Sequence, residues 1–146
     1  MPLDSSSSIV ALTGASGFIG GALTRSLSER GVPVRALVRD PDTIERTDGL
    51  EIVQGSLEDP DSLRRLVDGA DVVIHCAGAI KARGAKEFQA INAEGTRRLA
   101  AAAAQAKSRP RVMLVSSLAA REPSLSPYAA SKHAAEGVMA DQGPDL

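Results

Sequence analysis

Five short runs of apolar residues, rich in valine and isoleucine, recur along the chain at residues 9–13, 34–38, 51–54, 72–76 and 112–116. They are close to continuously apolar, which predicts strands covered on both faces, as in a parallel sheet. Between them the period changes. Residues 18–30 carry Ile19, Leu23 and Leu27 at fourfold spacing and are followed by Gly31, a helix with a glycine stop. Pro60 stands at a first-turn position, and Leu63, Leu66 and Val67 form the apolar stripe of a second helix. Residues 85–107 are alanine-rich and predict one long helix. Residues 128–140 predict the last, with Ala129, Ala130, Ala134 and Ala135 as a surface of small residues. Residues 40–49 read as a loop with one helical turn. Strands alternating with helices imply right-handed crossovers, hence an α/β fold: a doubly wound parallel sheet of five strands with a ligand crevice at their carboxyl ends. The polar residues 1–8 predict a flexible tail, leaving 9–146 as one domain.

Composition narrows the function classes. Lys plus Arg is 17 against 18 for Asp plus Glu, a net charge of -1, which lacks the basic footprint of a nucleic-acid binder. No apolar run approaches the ~20 residues of a membrane helix, and the first residues do not read as a secretory signal. A single cysteine, Cys76, excludes an internal disulfide and suits a reducing compartment, so a cytoplasmic location is expected. With two Phe, one Tyr and no Trp, the core must be aliphatic.

The first chemical signal is a glycine turn. Residues 13–20, Thr-Gly-Ala-Ser-Gly-Phe-Ile-Gly, follow the first strand and open the first helix. Gly14 allows a sharp turn off the strand, Gly17 lets a backbone approach a pyrophosphate, and Gly20 lets helix and strand pack closely. Helix-start N–H groups then face the phosphates. Nicotinamide cofactors differ at the ribose 2′ position. An acid about 20 residues on suits a 2′-hydroxyl and an arginine suits a 2′-phosphate. Arg39 and Asp40 both stand at the end of the second strand. Arg39 directly follows the last apolar residue, which favours NADP over NAD.

The second signal is Tyr128 with Lys132, a phenol and an ammonium one helical turn apart. A phenol is a poor base at its free pKa of about 10, and a neighbouring cation favours the phenolate. Ser116 and Ser117 end the fifth strand, where a hydroxyl can hold a substrate oxygen. The set suits proton transfer at a carbinol or carbonyl while a hydride moves. His75 and Cys76 read as strand-end residues near the cofactor and no metal site is expected. Thr96-Arg97-Arg98 reads as a solvated helix face.

Taken together, residues 13–20, 73–80 (VIHCAGAI), 91–99 (INAEGTRRL), 112–120 (VMLVSSLAA) and 128–132 (YAASK) resemble the short-chain dehydrogenase/reductase superfamily. The glycine spacing is similar to its extended, NAD-dependent epimerase/dehydratase branch. The resemblance implies a Rossmann-like NAD(P)-binding domain. It implies that Gly14, Gly17 and Gly20, with the backbone of Ser16, Phe18 and Ile19, hold the pyrophosphate, and that Arg39 reads the ribose. Ser56 and Leu57 would flank the adenine, although the family usually has an acid at Ser56. Ala77 and Gly78 would sit beside the cofactor, and Asn92 would support the site. Ser117, or Ser116 beside it, would be the catalytic serine, Tyr128 the acid/base, and Lys132 the ribose ligand that lowers the tyrosine's pKa. The family has a sixth strand and a substrate region after this point, so a fragment is expected, with an uncovered edge at the fifth strand. The small-residue helix 128–140 would suit a homodimer. Two functions follow: an oxidoreductase or epimerase acting on a small-molecule hydroxyl or carbonyl substrate, or a cofactor-binding module without turnover.

Overall fold

The computed structural model describes residues 8–142. Five strands, β1 (Val10–Thr13), β2 (Val34–Val38), β3 (Leu50–Gln54), β4 (Val72–His75) and β5 (Arg111–Leu114), form one parallel sheet in the order β3-β2-β1-β4-β5. Val10 pairs with Val34 on one side and Val72 on the other, so β1 is central and every connection is a crossover. The helices are α1 (Phe18–Glu29), α2 (Pro60–Val67), α3 (Ala85–Phe88), α4 (Gly95–Gln105) and α5 (Pro127–Asp141).

Alternation along β1 and β2 divides the core into two layers. Ala11 and Leu37 face Leu63 and Leu66 of α2 and Leu99 and Ala103 of α4. Leu12, Ala36 and Val38 face the other way, against Leu23 and Leu27 of α1. Continuous burial, expected of all five strands, holds for β1, where all four residues are buried. It fails at the ends of the sheet order. In β3 only Val53 is buried, and in β5 Arg111 and Met113 are exposed while Val112 is buried. An outer strand has one neighbour and less helix over it, so one face meets water.

Three further expectations are corrected. Residues 85–107 are not one α-helix: a turn of π-helix, Gln89–Glu94, separates α3 from α4. Ala129 and Ala135 are fully buried, so α5 presents only Ala130 and Ala134, half-buried, from the expected small-residue surface. The predicted tail falls on residues 1–7, which lie outside the described residues, but Ser8 is buried. Among the described residues no helix is long and apolar enough to cross a membrane.

Helix starts follow local chemistry. Asp59 caps α2 and Ser126 caps α5, each accepting a backbone N–H, and proline stands in the first turn of both. The single helical turn expected within 40–49 is a 3₁₀ turn, Pro41–Thr43, capped by Asp40. Arg35 of β2 is held by Glu51 at 2.9 Å and donates to the last carbonyls of α2, including Leu66, tying that helix end to the sheet.

Candidate functional site

The carboxyl ends of β1, β2, β3 and β4 open onto a cleft of about 450 Å³. Its floor is the glycine turn. Gly14 sits at φ +75°, and a Cβ there would lie 2.6 Å from the Ala77 nitrogen at the end of β4. Only glycine lets β1 turn so close to its neighbour. Gly20 is tighter still: a Cβ on it would stand 2.0 Å from the Gly14 carbonyl oxygen, so the first turn of α1 rests on the turn that precedes it. Gly17 caps α1 with no side-chain acceptor, and α1 has no acidic residue in its first turn. The N–H groups of Phe18, Ile19 and Gly20 therefore lack a capping partner where Gly17 lines the cleft, a cradle for an anion. The Phe18 side chain itself is 95% exposed, so its part in the cradle is the backbone.

At one end of the cleft, Arg39 lines the wall and Asp40 does not. The Asp40 carboxylate accepts the Asp42 N–H at 3.0 Å and holds the 3₁₀ turn. Ser56 and Leu57 line the same end, and the Ser56 hydroxyl accepts the Glu58 N–H at 3.2 Å. Ala77 and Gly78 form the wall after β4. Arg97 and Arg98 are both exposed, as expected of a solvated face, and Arg98 also lines the cleft. Arg97 pairs with Glu94 and points away, whereas Arg98 lies one turn beyond Gly95, which abuts Leu57. Thr96 of the same run is buried.

Asn92 is buried behind the cleft wall and is not among the residues that line the cleft. Its side chain is fully engaged. The amide oxygen accepts the Ala79 N–H at 2.8 Å, and the amide nitrogen donates to the Ala79 carbonyl at 3.0 Å and the Ser131 hydroxyl at 2.9 Å. It positions the Ala77–Ala79 wall.

The expected catalytic groups converge on α5 and the end of β5. Lys132 is buried, and its ammonium donates to the Val115 carbonyl at 3.0 Å. Burial pulls its pKa below the ordinary value, with Glu136 and Cys76 acting in the opposite sense. Cys76 lines the cleft, so the lysine's charge is felt at its inner end; burial pushes the thiol's pKa up against that charge. Tyr128 is half-buried and packs edge-to-face on Phe88, ring centroids 5.9 Å apart. The two serines differ. The Ser116 hydroxyl donates to Glu136 at 2.6 Å, so its proton is spent. The Ser117 hydroxyl accepts the Ala119 N–H at 3.2 Å, which leaves its own proton to donate.

His75 was expected as a residue beside the cofactor. It is instead buried beneath the glycine turn, bonded to Thr13 at 2.6 Å and Thr96 at 3.1 Å. Burial, with a smaller contribution from Lys132, lowers its pKa from 6.5 to about 4. The unfolded chain takes up this proton below pH 6.5 and the folded one not until about pH 4. Stability therefore falls as the pH drops through that window, by roughly 3 kcal/mol, and levels off below it. Urea unfolding of the wild type and of His75→Gln across pH 7 to 4 checks this: the variant's acid limb should be shallower by that amount.

The NAD(P)H-binding family matches residues 14–145, nearly the whole described chain. The chain belongs to this family. Ceramide reductase of Caulobacter vibrioides is 49% identical over 138 residues, which are 93% of this chain and 43% of that protein. The 4-hydroxy-2-methyl-3-oxo-4-farnesyl-3,4-dihydroquinoline-1-oxide ketoreductase of Stigmatella aurantiaca is 36% identical over 99 residues, 66% of this chain and 30% of that protein. A short-chain dehydrogenase/reductase superfamily protein of Agrobacterium tumefaciens, solved with bound NAD, superposes with a TM-score of 0.75 at 28% identity, covering 90% of this chain and 44% of its own. The NAD(P)H-binding chain thus has the fold of the short-chain dehydrogenase/reductase superfamily and spans less than half the length of these relatives.

Proposed function

We propose that the chain carries the cofactor half and the proton-transfer residues of an NADP-dependent reductase acting on a ketone or secondary alcohol of an apolar molecule. The observation that carries the cofactor reading is the uncapped start of α1 at the floor of the cleft, flanked by glycines that admit no Cβ. A pyrophosphate fits this donor set by charge and by shape. When bound, the nicotinamide supplies or accepts the hydride. The protein's own part is the rest: Tyr128 gives or takes the proton at the substrate oxygen, and Ser117, with a proton left to donate, orients that oxygen. Lys132 is anchored on Val115 with N–H groups to spare for a ribose hydroxyl. Positioning by these groups supplies most of the rate.

The apolar substrate class rests on two supports. Ile80 and Leu118, which flank Ala79 and Ser117, are exposed large hydrophobics, as is Leu125. Two relatives are named for the reduction of ceramide and of a farnesylated quinoline. A second reading is a cofactor-binding module without turnover, which an assay of NADPH oxidation separates from the first.

The choice of NADP rests on Arg39, which lines the cleft while Asp40 is held as a cap. NADPH should bind at least about tenfold more tightly than NADH, and Arg39→Ser should remove that difference by weakening NADPH alone. Fluorescence titration of both cofactors measures this. Equal wild-type affinities would overturn the assignment, and Asp40→Asn should leave the preference in place.

A further inference from the structure

We propose that His75 is a positioning residue: a neutral imidazole carrying its proton on Nε2, it couples the cofactor wall at Ala77 to the helix that bears Tyr128. The proposal rests on the cofactor and Tyr128 roles given above.

The hydrogen-bond directions leave one consistent arrangement. Thr13 Oγ1 accepts the Ala77 N–H at 3.2 Å. Its single proton is then free for His75 Nδ1, 2.6 Å away. On the other side of the ring, Thr96 Oγ1 donates to the Asn92 carbonyl at 2.6 Å, so it can only accept from His75 Nε2 at 3.1 Å. The chain of donors therefore runs from Ala77 through Thr13 to Nδ1, and from Nε2 through Thr96 to the Asn92 carbonyl. With the proton moved to Nδ1, Thr13 would face two donors with its own hydrogen unplaced. Thr96 would have to turn its hydrogen to the ring, leaving the Asn92 carbonyl without it. Each change loses a hydrogen bond in a buried site, which is costly. Burial and the nearby Lys132 charge also hold the ring neutral.

The network continues from Asn92 to both sides of the site. Its side chain clamps Ala79 and donates to Ser131 Oγ, and Ser131 Oγ donates to the Tyr128 carbonyl at 2.7 Å. Asn92 lies in the π-helical turn that interrupts residues 85–107, and Thr96 bonds its carbonyl four residues back. The π turn and its histidine thus belong to one device. Residues on and behind the cleft wall hold the wall and the tyrosine in register.

The protein offers a direct optical probe, because Tyr128 is its only tyrosine and it has no tryptophan. Nitrogen-15 NMR of the imidazoles, with His133 assigned by its own substitution, should show His75 as the Nε2–H form. Thr96→Val should move the alkaline absorbance titration of Tyr128 by about half a pH unit or more, a threefold change in its proton affinity, and Thr96→Ser should restore it. Thr13→Val should instead weaken NADPH binding about tenfold, with Thr13→Ser restoring it. An Nδ1–H or charged imidazole at neutral pH overturns the proposal even if the valine variants fail to fold. A Thr96→Val protein with lowered Tm but an unmoved Tyr128 titration overturns it too, showing a merely structural threonine. None of these readouts uses turnover, so a failure of Tyr128 as the acid, seen only in turnover, remains a separate result.

Discussion

Gly20→Ala should lower the Tm by about 10 °C and weaken NADPH binding about 100-fold. The added Cβ would stand 2.0 Å from the Gly14 carbonyl oxygen and 2.6 Å from its carbon, both backbone. A flexible side chain could swing aside; a carbonyl fixed by the Gly17 N–H at 3.0 Å cannot. Either α1 slides along its axis or the turn opens. Both displace Gly14 from the end of β4 and turn the free N–H groups of Phe18 and Ile19 out of line with the cleft. Overpacking of this severity costs about 3 kcal/mol. The control lies one residue on. Gly21→Ala puts its Cβ 3.5 Å from the Ala15 carbonyl, an ordinary contact, inside the same helix. Alanine is the better helix former there, so Gly21→Ala should raise stability by up to about 1 kcal/mol and leave binding unchanged. Opposite signs for adjacent identical substitutions separate a packing demand from a general liking for glycine. Thermal unfolding and NADPH titration of the two variants measure both. A Gly20→Ala protein as stable as the Gly21→Ala one would show that the turn relaxes and that Gly20 is there for another reason.

The turn was legible in the sequence because its demands fall on one residue type at fixed spacing, and the parallel sheet was legible from its apolar runs. Apolar runs of the length of β1 and β2 have few alternatives once helices separate them. What was not legible depends on angles that a few residues accumulate. The π turn at Gln89–Glu94 adds a residue to one helical turn, and an alanine-rich run with helical composition throughout carries no mark of it. Beyond that turn, Arg98 lines the cleft, Arg97 pairs with Glu94, and Thr96 is buried against His75. His75 looked like a cofactor neighbour because it stands two residues before Ala77. It ends β4, as expected of a strand-end residue, but its ring is turned into the interior, where two threonines from distant parts of the chain meet it. Asp40 shows the reverse case. Arg39 and Asp40 are neighbours in the sequence, and the structure separates them: Arg39 lines the cleft, while Asp40 caps the turn that begins at Pro41.

Tyr128→Phe should reduce turnover about 1000-fold while leaving fold and NADPH affinity as they are. The substitution removes one oxygen. The phenyl ring keeps its edge-to-face contact with Phe88, and α5 keeps its Ser126 cap and the Ser131 bond to the residue 128 carbonyl. What goes is the group that gives or takes the proton at the substrate oxygen in the proposed set. Ser117 retains a donor but is too weak an acid to replace it, and the Lys132 ammonium is held on Val115. Ser117→Ala should therefore cost less in kcat than Tyr128→Phe and more in KM, since it orients the oxygen without supplying the proton. NADPH oxidation with a panel of long-chain and isoprenoid ketones, followed beside cofactor titration, measures these effects. A Tyr128→Phe protein that turns over within about tenfold of wild type would place the acid elsewhere. Tight NADPH binding with no turnover by the wild-type chain is the outcome that the module reading expects, and the Tyr128 titration at 295 nm, which needs no substrate, still reports whether its environment favours the phenolate.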